Sequence, residues 1–373
     1  MKVSELKPVI DLNPEYGVVL EGGGARGAYQ VGAWKALEEA GVKIKALSGA
    51  SVGSLNAALI CMHDLEGALN LWTNLKFSQV MNTDDEKMQK LLHLNLPIVD
   101  TVQEVFRHVT NRGIDVTPLR NLIDSLLDED KIRQSDRELY ITILDIKKYK
   151  RLDVDCKTLP EGEIKNYLLG SAYFPLFKNV ELNGNRFMDG GLVDNVPIDS
   201  LISRGYKDIL VIRIYGIGFD KKVKIPDDVR VQTIAPQDKN LGNILDFEST
   251  NATRLIERGY LDACRFLYGL GGQDYCYVKP AIGELTALKR IFNLLDAKFD
   301  LIKEDFDIPE KDYETLRSVN EKFLPRLADS LEMGKEWNYI DLYARLLEYM
   351  MNRNKVPKNE IYSFEEMEAQ ALA

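Results

Sequence analysis

Nothing in the 373 residues reads as a membrane span or a secretory leader. The N-terminal stretch MKVSELKPVIDLNPEYG has no apolar core of signal-peptide length. The uncharged run over 46–63 is interrupted by Ser48, Gly49, Ser51, Gly53, Ser54 and Asn56, which rules it out as a span. Positive charge is in deficit, with 48 Lys and Arg against 58 Asp and Glu and a net charge of −10. That balance argues against nucleic acid as a partner and against a general attraction to anionic lipid. Cysteine is sparse: Cys61, Cys156, Cys264 and Cys276 show no metal-ligand spacing and read as buried thiols in a reducing compartment. Internal repeats and low-complexity linkers are absent as well. The expectation is a cytoplasmic protein, free to touch a membrane peripherally, with export by a route lacking a cleaved signal left open. What remains is ordinary globular composition, 45% hydrophobic and 28% charged, in a chain long enough for one large α/β domain or two smaller ones.

Strand and helix signals alternate from the start. Val18, Val19 and Leu20 form a short apolar strand that ends at glycines. Tyr29, Ala33, Leu37 and Ala40 then recur near the helical period over about 25–40, and Gly41 closes the helix. IKALSGAS (44–51) reads as a second strand and VGSLNAALICM (52–62) as a second helix. Strand–turn–helix twice over is the pattern of an open α/β sheet. Further strands are expected in LYITILDI (139–146), RFMDGGLVDNVP (186–197), ILVIRIYG (209–216) and VRVQTIAP (229–236), with a long helix over about 243–270. Residues 73–136 break the rhythm. Their helical pieces DEKMQKLLHL and DTVQEVFRHV flank Pro97 and form an inserted segment, either scaffold or a cover over a site. After Pro280 the chain reads as all helical, with Tyr339, Leu342, Leu346 and Tyr349 on one amphipathic face. The expected division is an extension over 1–16, a main domain over 17–280 with its insertion, and a helical region over 281–373.

Two glycine motifs stand out. Gly22, Gly24 and Gly27 satisfy G-x-G-x-x-G within EGGGARG. A dinucleotide cradle would need an acidic residue about 20 positions on, where GVKIKALSGAS (41–51) offers lysines and no acid. A phosphate-binding P-loop would need Gly-Lys-Ser/Thr, and Gly27 is followed by Ala28. The second motif, GASVG (49–53), matches G-x-S-x-G where a strand turns into a helix, the context of a nucleophile elbow. The bare pattern arises by chance about 0.1 times in a chain of this length, so its context carries the weight. Ser51 would project from a strained turn, with small Gly49, Ala50 and Gly53 leaving room for the backbone. Backbone N–H groups at Gly23, Gly24 and Ala25 could then serve as an oxyanion hole, a donor of that kind being worth roughly 2.7–4 kcal/mol in a transition state.

A serine nucleophile needs a base. Histidine is the usual one, and only His63, His93 and His108 exist. His63 lies twelve residues beyond Ser51, about 18 Å along a continuous helix; the other two fall in the insertion. A carboxylate is the alternative. Asp189 follows a short apolar segment and precedes Gly190 and Gly191, which leave it uncovered; Asp194 and Asp145 are rivals at plausible strand ends. Taken with the two glycine motifs, Asp189 is the choice.

At this point the sequence resembles the bacterial patatin-like phospholipases. GGGARG (22–27), GASVG (49–53) and DGG (189–191), trailed by Asn195 and Pro197, match that family in order and context. The likeness covers about residues 17–215 well and extends loosely to about 280, leaving the C-terminal hundred residues without a counterpart. It implies a three-layer α/β/α fold and a Ser–Asp dyad that hydrolyses lipid acyl esters with no metal and no cofactor. Ser51 would be the nucleophile, Asp189 the base and Gly22–Gly27 the oxyanion hole. Arg26 would anchor that loop or attract a phosphate, and Gly190, Gly191 and Asn195 would support the base. The implied substrate is a phospholipid or other lipid acyl ester, cleaved by phospholipase A or lysophospholipase chemistry. Acyl transfer at the same site, and a non-catalytic lipid-binding regulator, are the alternatives. Oligomeric state, head group and acyl position stay open.

Overall fold

The computed structural model describes residues 3–92, 115–173, 181, 184 and 186–373. The chain divides into two compact units: one is Pro8–Leu267, and the other comprises Tyr268–Ala373 together with Met1–Lys7.

The first unit is built on strands β1 (Glu15–Leu20), β2 (Lys43–Ala50), β3 (Glu138–Asp145), β4 (Lys150–Asp155), β5 (Phe187–Asp189), β6 (Asp208–Ile212) and β7 (Arg230–Ile234). Its helices are α1 (Gly27–Glu39), α2 (Val52–Cys61), α3 (Leu65–Asn74), α4 (Thr117–Leu126), α5 (Ile164–Ser171), α6 (Ile198–Ile202) and α7 (Ser249–Tyr268). The sheet order is β4-β3-β2-β1-β6-β7, with β5 beside β3. The pairs from β3 through β7 are parallel, while β4 and β5 run antiparallel to β3. Val19, Ala46, Tyr140, Ile209 and Val211 pack with Leu201 of α6 on one face. Val18, Leu20, Leu47, Ile141 and Leu210 are equally buried. Side chains alternate along a strand, so these point to the opposite face, and α2 lies against β1, β2 and β3. This is an α/β fold with helices on both faces of a mixed sheet. Burial on both faces is why β1 reads as a continuous apolar run.

The pairing along β3 positions the site. β4 occupies one edge throughout, from Tyr140↔Asp155 to Asp145↔Lys150. The other edge is shared. β2 holds it as far as Ala50↔Thr142, and β5 takes it over from Ile143↔Asp189. β5 therefore begins where β2 turns away into α2, and the two strand ends face each other.

Several expectations are corrected here. β4 was not anticipated; it is an edge strand with one end exposed and the rest half-buried, and such strands carry charge in place of an apolar run. The helix expected to carry His63 stops at Cys61, and His63 lies in the following turn at φ 57. The long helix starts at Ser249. The inserted segment is helical where it is described, in Phe77–Val80, Asp85–Leu92, α4 and Glu129–Gln134. Pro97, the expected helix DTVQEVFRHV, His93 and His108 lie outside the described residues.

The second unit gathers α8 (Glu284–Asp305), α9 (Leu324–Ser330), α10 (Tyr339–Arg353) and α11 (Phe364–Leu372) around Ile291, Leu295, Phe323, Leu327, Leu346 and Met367. It is not wholly helical. β8 (Cys276–Tyr277) pairs in parallel with β9 (Ile361–Tyr362), which ties the residues before Pro280 to this unit. The boundary accordingly falls after Leu267, ahead of the expected 280. Among the described residues no helix is long and apolar enough to cross a membrane.

Candidate active site

Ser51 sits between β2 and α2 with φ 52 and ψ −130. A non-glycine residue held there costs on the order of 1–3 kcal/mol and persists only where its surroundings fix it. The glycines of the motif make the turn possible. A Cβ on Gly49 would stand 2.5 Å from the Gly53 carbonyl, and one on Gly53 would collide with the Leu20 carbonyl. The Ser51 N–H donates to Ser171 Oγ at 3.2 Å, and the Ser171 hydroxyl donates to the Thr142 carbonyl at 2.8 Å. Ser54 Oγ donates to the Ser51 carbonyl at 2.6 Å. The elbow is thus pinned on both sides of its reactive group.

The Ser51 hydroxyl donates to Asp189 Oδ2 at 2.6 Å. The other carboxylate oxygen, Oδ1, accepts the Gly191 N–H at 2.8 Å. Asp189 is buried, and burial pushes its pKa up to about 6 against the opposing pull of Ser51 and the Gly191 N–H. The rival acids are engaged elsewhere. Asp194 forms a buried ion pair with Arg151 at 2.8 Å, and Asp145 accepts the Lys148 N–H at 3.1 Å. His63 pairs with Asp136 at 2.9 Å on the surface.

Backbone donors in the glycine loop can be counted one by one. The Gly22 N–H goes to the Asn195 carbonyl, Ala25 to Ile244, Arg26 to Gly23 and Gly27 to Gly24. Ala25 is therefore spent, contrary to expectation, and so are Gly22, Arg26 and Gly27. Gly23 and Gly24 are left with no acceptor among the described residues, and both line the cavity beside Ser51. Gly24 has φ +57, a conformation glycine adopts without strain. Arg26 is buried and donates to the carbonyls of Gly242, Ile214 and Tyr215. It anchors the loop, with four of its five N–H groups directed at these backbone carbonyls.

Glu21 went unremarked in the sequence, and it underlies this loop. Its carboxylate is fully buried at the end of β1. It accepts N–H groups from Ile214 at 2.6 Å, Tyr215 at 3.0 Å and Gly216 at 3.2 Å, and the Arg213 guanidinium at 2.9 Å. Asn195 Nδ2 reaches both Glu21 Oε1 at 3.3 Å and the Gly22 carbonyl at 3.1 Å. Burial raises the Glu21 pKa, while Arg213 and the N–H donors draw it back. The available signal was an acid between an apolar strand and three glycines, a position that the strand's burial carries inward. Ser171, in LLGSAYF, had no comparable signal.

A cavity of about 380 Å³ opens beside Ser51, Asp189 and Gly22–Gly24. Apart from these and Asn56 and Asn195, its walls are hydrophobic. Leu55 and Leu59 come from α2, Trp72 from α3, and Leu119, Ile123 and Leu126 from α4. The insertion thus supplies one wall, with its apolar stripe turned inward. A serine held to a buried carboxylate, two free N–H groups alongside and an apolar chamber together suit acyl transfer from a substrate with a hydrocarbon tail.

Residues 18–202 match the model of the patatin-like phospholipase family, a span that contains all three motifs. These residues, just under half of the chain, carry a domain of that kind. It is 27% identical to a probable lipid hydrolase, 463L, of Invertebrate iridescent virus 6, over 51% of this chain and 65% of that protein. Lysophospholipase nte1 of Aspergillus terreus is 30% identical over 54% of this chain and 12% of that protein. The chain thus spans less than two thirds of the length of either relative. Among solved structures, VipD from Legionella pneumophila overlaps with a TM-score of 0.44 at 16% identity, covering 96% of this chain and 90% of that one.

Two stability outcomes follow from this geometry. Asp189 titrates near 6 in the folded chain against an ordinary 3.8, so its favourable contribution is complete below about 4 and is lost as pH rises through 6. Asp189→Asn carries no charge, and should stabilise the fold by up to about 3 kcal/mol at pH 8 and by nothing near pH 4, read from denaturant midpoints. Glu21→Gln turns an amide towards the donors of 213–216 and should cost about 3 kcal/mol in the same measurement.

Proposed function

We infer that this chain is a lipid acyl hydrolase of phospholipase A or lysophospholipase type. The observation that carries the reading is the 2.6 Å bond from the Ser51 hydroxyl to Asp189 at the mouth of an apolar cavity. As Ser51 Oγ attacks the ester carbonyl, its proton passes to Asp189. The carbonyl oxygen becomes an oxyanion and is held by the N–H groups of Gly23 and Gly24, preorganised donors that need no reorientation during the reaction. Collapse expels the alcohol, which takes the proton from Asp189, and leaves an acyl ester on Ser51. Water then attacks that ester and gives its proton to Asp189, which passes it to the departing Ser51 Oγ as the fatty acid is released, restoring the starting state. The cavity holds the acyl chain with its carbonyl at Ser51, and this positioning supplies much of what a weak carboxylate base does not.

A raised pKa brings Asp189 closer to a useful base than an exposed aspartate would be. It must still be ionised to accept the proton. Turnover of a soluble ester should therefore rise with pH along a single ionisation near 6 and then stay level; a profile falling across that interval would contradict the assignment.

The decisive comparison is mass-spectrometric product analysis on mixed lipids. Ser51→Ala should abolish fatty acid release, and Asp189→Asn should lower it roughly 10³-fold or more. A fluorophosphonate should label Ser51. A folded variant with His63, His93 and His108 all changed to Gln should keep its rate within about tenfold, since no histidine takes the serine proton. Inactivity of that variant equal to Ser51→Ala would mean that a histidine reaches the serine after all.

A further inference from the structure

The rim of the cavity carries exposed hydrophobic side chains that the reaction does not use. Leu192 and Ile217 line the cavity and yet are 42% and 51% exposed, and Phe219 beside them is 60% exposed. They lie together because the Phe219 N–H donates to the Gly191 carbonyl and the Asn195 N–H donates to the Phe219 carbonyl, both at 2.8 Å. That lattice staples the loop after β6 across the turn after Asp189. Both parts stand at one edge of the sheet, since Leu20 pairs with both Gly49 and Ile212 at the strand ends.

The same edge bears a second projection. β3 continues three residues past Thr142↔Ala50, so its hairpin with β4 emerges on the elbow side. Tyr149 stands at that turn, 88% exposed with φ 47. Lys150 follows it directly, and Lys222 lies three residues beyond Phe219; both are exposed, and neither has a carboxylate partner among the described residues.

Resting on the hydrolase reading above, we propose that this edge is a membrane-docking face, in which Leu192, Ile217 and Phe219 enter the acyl layer of a phospholipid bilayer while Tyr149, Lys150 and Lys222 meet its head groups. Exposed apolar groups that continue into an apolar cavity mark a surface that is covered in use. An acyl chain drawn from a bilayer touching this rim reaches Ser51 without exposing its methylenes to water. Tyrosine suits the boundary, with an apolar ring and a polar tip. The overall charge of −10 repels anionic lipid at long range, so the two unpaired lysines act locally, within a Debye length of the surface.

The test uses the full chain carrying Ser51→Ala, so that lipid is not consumed, sedimented with vesicles of phosphatidylcholine alone or mixed with phosphatidylglycerol. Adding Phe219→Asp should lower partitioning about tenfold or more on both. Lys150→Glu with Lys222→Glu should lower it several-fold on the mixed vesicles and little on phosphatidylcholine. With Ser51 restored, Phe219→Asp should retain hydrolysis of a water-soluble short-chain ester and lose vesicle hydrolysis about tenfold. Partitioning that Phe219→Asp leaves unchanged overturns the proposal, as does a change that instead turns a dimer into a monomer with vesicle binding intact. Failure of the hydrolase reading looks different: the unaltered chain would cleave neither ester, while sedimentation would still report on docking.

Discussion

Strand β3 pairs along one edge first with β2, up to Ala50↔Thr142, and then with β5, from Ile143↔Asp189. The residue after Ala50 is Ser51, so this succession sets the serine and Asp189 side by side. β2 must stop at Ala50, because the chain turns there into α2. β5 must be short, because Gly190 and Gly191 bend it away directly after the carboxylate. Two backbone ladders 138 residues apart in sequence thus fix a side-chain bond of 2.6 Å. Side chains on strands aligned in this way are held more tightly than side chains on free loops could be.

The site stores unfavourable energy. Ser51 has a backbone conformation that other residues avoid, and Asp189 is a buried carboxylate with no cation beside it among the described residues. Glu21 makes a contrasting case within the same site. It is just as buried, yet Arg213 and three backbone N–H groups surround it, so its charge is compensated. One acid holds the loop rigid while the other stays poised to gain a proton. The cost at Asp189 is met by the well-packed sheet around it, a usual pattern where reactivity is at odds with stability.

Much of the unit was legible because sterics leave a residue-type signature. Gly49 and Gly53 could be read as a tight crossing, since nothing larger fits against the Gly53 and Leu20 backbones. β1, β2 and β6 could be read from apolar runs that reflect burial on two faces. What escaped notice lacks such a signature. β4 is a charged edge strand, and β8 and β9 are two residues each, too short for any period to register. Long-range bonds to the backbone were equally hidden. Nothing in the spelling of GGGARG says that Ala25 would be spent on Ile244, or that Arg26 would grip Gly242. Ser171 and Glu21 matter through partners that sequence proximity does not reveal.

The wall that α4 adds to the cavity has a bearing on how such a chain can change. Residues 20–53 and 187–195 carry the reacting groups, whereas Leu119, Ile123 and Leu126 belong to a segment threaded between β2 and β3. The shape of the chamber and the chemistry at its mouth are therefore written in different stretches of sequence. Substitutions in α4 can lengthen, shorten or bend the space for a hydrocarbon tail while every bond around Ser51 stays as it is. Preference among lipids is free to drift on its own, with the reaction held constant.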